Sequence, residues 1–353
     1  MKILLVGEFS GLHNNLKEGL VDLGHDVTLL SAGDGWKKFG SDIFLSPFKG
    51  VIGKVMNLFY DYRVLSKIKK YDVVQFMNPH VINRFMPRKF LLKKILKNNS
   101  KVFLIAAGGD SYFWKIGPEK LKYGPFEDTF KYDDVRFISY LKTDEAFDYN
   151  SFFVKNVVSV IPVMYEYETS YSDIDNLGKC IPLPINVDKI RYEKNIVKDK
   201  IIIFHGLNRY GFKGTKYVED AFEYLSEKYP DELELIIKGN MPIDDYLKLM
   251  KRTNVVIDQV NSHSLGMNGA YALAMGKVVL GGAEPESLTA LNMNSTPVIN
   301  IKPSSQDLID KIENLIQDKR NFIKIGQDSR AFIEKYHDHR KVASMYLEHW
   351  KKT

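Results

Sequence analysis

The sequence has 353 residues, of which 44% are hydrophobic and 27% charged, so the chain can fill the cores of two domains and is not expected to be disordered. Its single cysteine, Cys180, excludes an internal disulfide framework and predicts a reducing compartment. No apolar run reaches the roughly 18 residues that span a bilayer, and the first residues lack the cleavage pattern of a signal peptide. We therefore predict a soluble, cytoplasmic protein.

The net charge of +6 is unevenly distributed. Residues 1–101 carry 17 basic and 8 acidic side chains, a net +9, so the remainder sums to −3. The densest run, Arg84–Lys101, has seven basic residues and no acidic one, and its apolar positions fit an amphipathic helix. Such a face is typical of docking on anionic lipid at the inner face of a membrane and equally of a solvated surface. No binding motif or stacking pattern accompanies the charge, which disfavours nucleic acid.

Strand-like and helix-like patterns alternate along the first half of the chain. The predicted strands are Lys2–Val6, Asp26–Leu30, Asp72–Phe76, Lys101–Ala106 and Val157–Ile161. The predicted helices are Leu12–Leu23, Val55–Ile68 and Phe85–Leu96. This alternation indicates a parallel sheet with helices on both faces.

The second half repeats the alternation. Its predicted strands are Lys200–Phe204, Leu233–Ile237, Val255–Ile257, Lys277–Leu280 and Pro297–Ile301, and its predicted helices are Thr215–Lys228, Asp244–Lys251, Met267–Met275, Ser305–Gln317 and Arg320–Tyr336. A break at His337–His339 precedes a last helix ending at Lys352. Prolines in Cys180–Asp188 indicate the join. The predicted fold class is therefore α/β, with two Rossmann-like, doubly wound domains at 1–186 and 187–336 and a helix at 337–353. A cleft is expected between the carboxyl ends of the strands of the two domains.

The turn after the first strand runs from Gly7 to Asn15. Gly11 would let a ligand approach the start of a helix closely, but the spacing is not that of a dinucleotide fingerprint. His13 falls in the first helical turn and is expected to face the cleft. It is therefore a candidate base, although a histidine there is more often a polar surface residue.

The segment His205–Gly214 follows a buried strand and precedes a helix. It includes Gly206 and places Arg209 and Lys213 at the carboxyl end of the strand. A guanidinium group and an ammonium group together suit a diphosphate, whereas solvated loop cations are the alternative.

A third candidate, Asp258–Tyr271, is a polar, glycine-containing loop that leads into a helix of small residues. Amides at the start of that helix could hold phosphate oxygens, and a tight structural turn is the alternative. The next strand leads to Gly281–Ser287, where one of the two glutamates, Glu284 or Glu286, could cap a helix starting at Ser287. The alternative is a ligand-binding role, for which Glu286 is the candidate.

These segments resemble retaining glycosyltransferases of the GT-B fold, in glycosyltransferase family 4. The resemblance is carried by HGLNRYGFKG, by NVVIDQVNSHSLGMNGAYALAMGKVVLG with GGAEPES, by IPLPINVDKI, and by the first strand–helix–strand MKILLVGEFSG…GLVDLGHDVTLLS. It covers residues 180–300 well, 1–31 fairly and 32–156 poorly. The last helix would fit the fold's crossover onto the first domain.

The resemblance implies a hexosyl-type transferase that uses a nucleotide sugar, retains the anomeric configuration and needs neither a metal nor another cofactor. Arg209 and Lys213 would hold the diphosphate, and Asp110, in an H-G-x-D-like segment, would face the donor sugar and the acceptor. The implied donor contacts are Gly11, Gly206, Gly239 near the base, His263, Ser264, Gly266, Met267, Asn268, Tyr271 and Glu286. A surface glycan or a lipid-linked acceptor, as in polysaccharide biosynthesis, is expected.

The sequence departs from the family pattern at three positions. The two glutamates of the family's E-x7-E motif are replaced by His263 and Tyr271, and the histidine of H-G-x-D is Ala107. Two alternatives therefore stay open. One is a catalytically silent GT-B subunit that binds a protein partner, and the other, ranked lower, is a nucleotide-sugar 2-epimerase.

Overall fold

The computed structural model describes residues 1–34, 39–239, 241 and 243–353, with the side chains of Ile243 and Asp244 left aside. The chain divides into two compact units. The first unit comprises Met1–Lys120, Ile138–Asn186 and His339–Thr353. The second unit comprises Leu121–Phe137 and Val187–Asp338.

The first unit is built on a parallel sheet of six strands in the order β3-β2-β1-β4-β5-β6. The strands are β1 (Lys2–Val6), β2 (Asp26–Ser31), β3 (Ile43–Phe44), β4 (Val73–Phe76), β5 (Lys101–Ala106) and β6 (Ser159–Pro162). In the central strand β1, Ile3, Leu5 and Val6 have no exposed surface. Burial on both faces explains why these strands have continuous apolar sequences.

In the described part of the chain, the helices that accompany this sheet are α1 (Leu12–Asp22), α2 (Gly50–Leu65), α3 (Arg88–Asn98), α4 (Ser111–Lys115), α5 (Gly117–Lys120), α7 (Arg136–Leu141), α8 (Asp144–Val154), α9 (Tyr165–Ser170) and, from the end of the sequence, α17 (His339–Lys352). A further helix of this stretch, α6 (Phe126–Tyr132), belongs to the second unit. Helix α17 packs on α1 so closely that a Cβ at Gly19 would lie 2.2 Å from the carbonyl oxygen of His339. The Trp350 ring of α17 is buried in the first unit and donates a hydrogen bond to Gln75 of β4.

The second unit contains a parallel sheet of five strands in the order β11-β10-β9-β7-β8. The strands are β7 (Ile201–Gly206), β8 (Leu233–Lys238), β9 (Val255–Ile257), β10 (Val278–Gly281) and β11 (Ile299–Asn300). The helices that follow them are α10 (Tyr210–Lys213), α11 (Thr215–Lys228), α12 (Ile243–Arg252), α13 (Met267–Ala274), α14 (Pro285–Ala290), α15 (Ser305–Gln317) and α16 (Phe322–Tyr336). The aliphatic core of this unit lies between the sheet and α11 and α15, and includes Ile203, Val218 and Leu308.

The segment Leu121–Phe137 belongs to the second unit, although the sequence places it inside 1–186. Its helix α6 packs against α10 so tightly that a Cβ at Gly211 would lie 2.1 Å from the carbonyl oxygen of Asp128. The Asp128 carboxylate also accepts a hydrogen bond from the Asn261 amide at 2.9 Å. These contacts join residues more than 80 positions apart in the chain, so no local sequence pattern predicts them.

The ten strands expected from sequence are present with small shifts at their ends, and the parallel α/β architecture is confirmed. Two helices differ more. The helix expected at Phe85–Leu96 begins at Arg88, after Pro87, and the helix expected at Val55–Ile68 begins five residues earlier, at Gly50. Within the described residues, no helix is long and apolar enough to cross a membrane.

Candidate functional site

The second sheet has a topological switch point between β7 and β9. The chain leaves β7 toward β8 on one side and later returns to place β9 on the other side. The loops after β7 and β9 therefore leave the sheet in opposite directions, which opens a crevice where doubly wound folds bind their ligands. The loop after β7 carries Arg209 and Lys213, and the loop after β9 leads into α13.

Arg209 and Lys213 begin and end the short helix α10. Arg209 is its exposed N-terminal cap, and its guanidinium carbon lies 3.6 Å from the centroid of the Phe212 ring. Lys213 is only 8% exposed. Stacking on the Phe212 ring orients the guanidinium, so the pair combines an oriented fork with a partly desolvated point charge. Both features suit an anionic ligand.

The backbone of α10 is held from two directions within the second unit. From the β9 loop, Val260 donates its N–H to the carbonyl of Lys213 at 2.9 Å, and the Asn261 amide donates to Gly211 at 3.1 Å. From the segment after α6, the Asp133 carboxylate accepts the N–H groups of Gly211 and Phe212 at 3.0 and 2.9 Å. Asp133 is a supporting residue that the sequence reasoning missed, because it lies 78 positions from its partner.

His205, the first residue of the glycine–arginine–lysine segment, supports the site from inside the core. It has no exposed surface, and its Nδ1 and Nε2 lie 3.0 Å from the Ile257 carbonyl and the Thr215 hydroxyl. Burial, with a contribution from the Lys213 charge, lowers the pKa of His205 to about 3. The ring is therefore neutral and links β7, β9 and α11 behind the loop.

The start of α13 presents backbone amides at the same end of the sheet. Its N-terminal cap, Gly266, donates its own N–H to the buried Asp258 carboxylate at 2.8 Å and provides no side-chain cap. In the described part of the chain, the amides of Met267, Asn268 and Gly269 have no capping acceptor. Those three N–H groups and the positive end of the helix dipole form an anion-binding arrangement.

Two glycines are required here for steric reasons. A Cβ at Gly266 would lie 2.5 Å from the Gln259 side-chain nitrogen, and a Cβ at Gly269 would lie 2.9 Å from Asp258 Oδ2. Both glycines let α13 start directly on the side chains that follow β9. This close packing explains the small residues that the sequence shows in this helix.

Asn268 adds a side-chain donor. Its Oδ1 accepts a hydrogen bond from the Tyr246 hydroxyl at 3.1 Å, which fixes the orientation of the amide. Its Nδ2 is buried, has no hydrogen-bond acceptor among the described residues, and lies 3.9 Å from the Cβ position of Gly206. A buried N–H without an acceptor is costly, so a ligand oxygen at this point would be favoured.

Gly239 lies at the end of β8, on the other side of β7. A Cβ there would lie 1.7 Å from the carbonyl oxygen of Leu207, so only glycine lets the β8 loop approach the β7 loop. Tyr271 lies four residues after Met267 in α13 and is half-buried.

His263 occupies a different environment from that of a ligand-binding glutamate. Its ring is 3% exposed and stacks on Tyr123, with centroids 3.9 Å apart and planes at 13°. The Tyr123 hydroxyl donates to Glu284 Oε1 at 3.0 Å, and the Asn300 amide donates to the same oxygen at 3.1 Å. Tyr123 therefore covers His263 in this conformation, and the following Ser264 is also buried.

Glu284 is the inward glutamate of the loop after β10, whereas Glu286 is exposed on the first turn of α14. The helix begins at Pro285 rather than Ser287, and no side chain caps it. Glu286 is therefore not a cap. The contacts of Tyr123 and Asn300 distinguish Glu284, which the sequence did not single out, whereas Glu286 as a donor contact stays a prediction.

In the first unit, the turn after β1 is closed by its own carboxylate. Glu8 is 4% exposed and accepts the N–H groups of Gly11 and Asn14, each at 2.8 Å. Burial raises the pKa of Glu8 despite these bonds. The amide of Gly11 is thus already used, and a second anion at this helix start would meet a carboxylate.

His13 is a core histidine rather than a group that faces an open site. It has no exposed surface, its Nδ1 lies 2.7 Å from the Gly7 carbonyl, and Gln75 Nε2 lies 3.3 Å from its Nε2. An amide donor at Nε2 makes Nδ1 the protonated nitrogen, which donates to Gly7. Burial lowers the pKa of His13 to about 4. The expectation that His13 faces an open cleft is therefore not met, whereas a role as a base stays a prediction.

Asp110 is also enclosed. It has no exposed surface, caps α4 by accepting the N–H of Phe113 at 3.2 Å, and accepts a hydrogen bond from the Tyr171 hydroxyl. Burial raises its pKa to about 6. In this conformation the carboxyl group organises the start of α4 and has no surface on which a sugar could rest.

Comparisons with known proteins identify the fold. A scan against protein-family models found no match, and neither did a search of curated protein sequences. One similar solved structure is HepE from Anabaena in complex with UDP and glucose, with a TM-score of 0.63, 14% identity and 100% of both chains covered. A second is sucrose-phosphate synthase from Thermosynechococcus elongatus, with a TM-score of 0.67, 12% identity, and 100% of this chain and 99% of that chain covered. A third is UDP-GlcNAc 2-epimerase from Neisseria meningitidis bound to UDP-GlcNAc, with a TM-score of 0.54, 12% identity and 100% of both chains covered. With its two parallel Rossmann-like sheets, the chain has the GT-B fold.

Proposed function

We propose that the protein is a glycosyltransferase that takes its sugar from a nucleotide diphosphate sugar bound at the switch point of the second unit. One observation carries the proposal: the Arg209–Lys213 loop and the uncapped start of α13 flank the same end of the sheet. The similar solved structures include one with UDP and glucose, so UDP is the first nucleotide to test.

The site residues have separate roles in this proposal. Arg209 binds two diphosphate oxygens through its guanidinium fork, and Lys213 adds charge in a partly desolvated position. The first amides of α13 and the Asn268 side chain bind the remaining phosphate oxygens. When the bond from the anomeric carbon to the diphosphate breaks, negative charge grows on that leaving oxygen. Preorganised cations and amides stabilise it more than they stabilise the ground state.

The finer features of the proposal come from the family 4 resemblance. They are transfer of a hexose, retention at the anomeric carbon, no metal, and a surface-glycan or lipid-linked acceptor in polysaccharide biosynthesis. Gly239 close to Leu207 supports a nucleotide base lying along the ends of β7 and β8.

Titration calorimetry with UDP, GDP, ADP and CMP tests the donor site. We expect micromolar binding of one nucleotide, weakened at least tenfold, or roughly 1.4 kcal/mol, by Arg209→Ala. Arg191→Ala is the matched control, because Arg191 is an exposed arginine of the same unit outside the β7 loop. Equal weakening by both variants, or no effect of Arg209→Ala, would contradict the assignment.

A catalytically silent subunit is the second candidate, favoured by Tyr123 covering His263. It predicts no nucleotide binding in the same titration. An epimerase is the third, supported by the similar epimerase structure. Nuclear magnetic resonance of a nucleotide sugar with the protein alone separates it from a transferase, because an epimerase converts the sugar without an acceptor.

A further inference from the structure

Helix α2 of the first unit exposes most of its apolar side chains. Of its 16 residues only Gly53, Asp61 and Leu65 are buried. Val51, Ile52 and Phe59 are 82%, 78% and 74% exposed. Large exposed apolar patches on a folded unit mark interaction surfaces.

The exposed apolar residues form one continuous face. At 100° per residue, Val51, Ile52, Val55, Met56, Phe59 and Tyr62 fall within an arc of about 140°. The buried Gly53, Asp61 and Leu65 lie outside that arc, about 130°, 150° and 110° from its centre. The apolar residues, called here the α2 face, therefore point away from the buried side of the helix.

The loop before α2 holds the helix in this orientation. The Asp61 carboxylate accepts bonds from the N–H and the hydroxyl of Ser46, both at 2.7 Å. The Asn57 side chain accepts a hydrogen bond from the Phe48 N–H through Oδ1 and donates one to the Phe48 carbonyl through Nδ2, both at 2.9 Å. A Cβ at Gly53 would lie 2.9 Å from the Phe48 backbone. Asn57 and Asp61 thus face the preceding loop, on the side of α2 away from the exposed apolar residues.

Basic side chains surround the α2 face. Lys49, Lys54 and Arg63 are exposed on or beside α2, and none of them has an ion-pair partner among the described residues. Arg84 and Phe85, the latter 72% exposed, lie next to α2, because Phe85 lines a shallow groove together with Lys54 and Val55.

Helix α3 continues the basic surface but contributes less apolar area than its sequence predicts. Leu91, Leu92 and Ile95 are buried in the first unit, whereas Phe90 is 58% exposed. Lys89, Lys93, Lys94 and Lys97 are exposed. Most of the exposed apolar area of this surface is therefore on α2, and Arg84–Lys101 adds Phe85 and Phe90.

We propose that the α2 face, with Phe85 and the surrounding basic residues, docks on the surface of a bilayer containing anionic lipids. A helix of 16 residues is about 24 Å long and would lie in the interface with its apolar side chains among the acyl chains. Charge complementarity selects the lipid over a second copy of this chain. A symmetric contact between two α2 faces would bring together two surfaces of the same positive charge, each with Lys54 and Arg84. The proposal is independent of the proposed function.

Vesicle flotation tests it, with vesicles of phosphatidylcholine alone or with about one third phosphatidylglycerol, at low and high salt. We expect binding to the anionic vesicles at low salt, weakened by salt because surface charges are screened. Ile52→Glu/Phe59→Glu should weaken binding at least tenfold. Val21→Glu/Met345→Glu is the matched control, because both residues are exposed apolar residues of the same unit, 48% and 39% exposed, away from α2.

A second pair of variants tests the charges. Lys54→Glu/Arg84→Glu should weaken binding to anionic vesicles, and Lys155→Glu/Lys179→Glu, which changes two exposed lysines elsewhere in the unit, should weaken it less. Thermal unfolding and nucleotide titration of every variant confirm the fold, so failure of this proposal is distinguishable from failure of the donor site. Equal binding to neutral vesicles, or indifference to Ile52→Glu/Phe59→Glu, would overturn it. A dimer abolished by Ile52→Glu/Phe59→Glu, without vesicle binding, would assign the face to a second copy.

Discussion

Helices α1 and α13 both start just beyond the carboxyl end of a parallel strand, yet their first turns are treated in opposite ways. In α1, the Glu8 carboxylate takes the amides of Gly11 and Asn14. In α13, Asp258 takes only the amide of the capping residue Gly266, and the next three amides have no capping acceptor in the part of the chain described. One side chain thus decides whether a helix start is an internal turn or an anion site.

The histidines behind the two turns are alike. His13 supports the first turn through Gly7, and His205 supports the second through Ile257 and Thr215. Both are fully buried and held neutral. Both turns are therefore supported by a buried, neutral histidine. They differ in that the Glu8 carboxylate accepts amides at the start of α1, whereas no carboxylate accepts the first helical amides of α13 in the described structure.

The largest expected effect is a loss of stability at acid pH, caused by the two buried, neutral histidines. A histidine whose pKa is lower in the folded state binds fewer protons there, so stability is lost as pH falls below the unfolded value near 6.5. We expect His205 and His13 each to remove about 2 kcal/mol of unfolding free energy between pH 7 and pH 5. Asp110, with its pKa raised to about 6, gains a proton in the same interval and offsets about 1 kcal/mol.

Denaturant unfolding at several pH values measures this dependence. His205→Gln should flatten the profile, and the slope against pH decides the outcome even if the variant is less stable overall. An unchanged slope would mean that His205 is charged or solvated in the folded protein.

The next prediction concerns Gly239, which has no equivalent in the first turn. A Cβ there would collide with the Leu207 carbonyl, so Gly239→Ala should lower the unfolding free energy by about 2 kcal/mol and displace the β7 loop. Gly40→Ala is the matched control, because nothing lies within 4 Å of its Cβ position. Thermal unfolding measures both variants, and a stable Gly239→Ala protein would show that the β8 loop yields easily.

Glu8→Gln tests the closed turn directly. The substitution removes the negative charge at the start of α1 and one of the acceptors, so we expect a loss of about 1 kcal/mol in stability. Nucleotide affinity should not change, because the proposed donor site lies in the second unit. A change in affinity measured by calorimetry would break the contrast between the two turns.

The smallest expected effect concerns Asp133, which holds the backbone of α10. Asp133→Asn should loosen the Arg209 loop and weaken nucleotide binding about threefold, roughly 0.7 kcal/mol. Its neighbour Asp134 is the matched control, because Asp134 is exposed and pairs only with Arg136 in the described structure. Equal effects of Asp133→Asn and Asp134→Asn would show that general charge, not the hydrogen bonds, supports the loop.

The sequence predicts ten of the strands because each is a short apolar run between breakers, and the central strands are buried on both faces. The two-residue strand β3 is partly exposed and was not predicted. The sequence predicts the Arg209 loop for the same reason, since the end of β7 fixes where the loop lies. It fails at His13, because the Gln75 contact that encloses this histidine comes from 62 residues away. Tyr123 and Asp133 were missed for the same reason: a segment of the first half packs in the second unit.

The structure gives a physical reason for one of the three departures from the family 4 pattern, the histidine at position 263. A glutamate at position 263 would place a carboxylate beneath Tyr123 and beside Glu284, where a second negative charge would be unfavourable. Histidine at this position can stack on the tyrosine ring instead. The replacement is thus consistent with its surroundings.

Helix α17 has a consequence for how the chain reaches its folded state. About 150 residues separate Asn186 from His339, so the first unit waits for a segment synthesised after nearly all of the second. Until then α17 does not cover the side of α1 that holds Gly19. The Gln75 side chain of β4 also lacks its hydrogen bond from Trp350. Long-range closure of this kind slows folding and leaves apolar surface exposed to aggregation. We therefore expect a nascent chain that ends before α17 to hold an unfinished first unit, and to depend on chaperones at that stage.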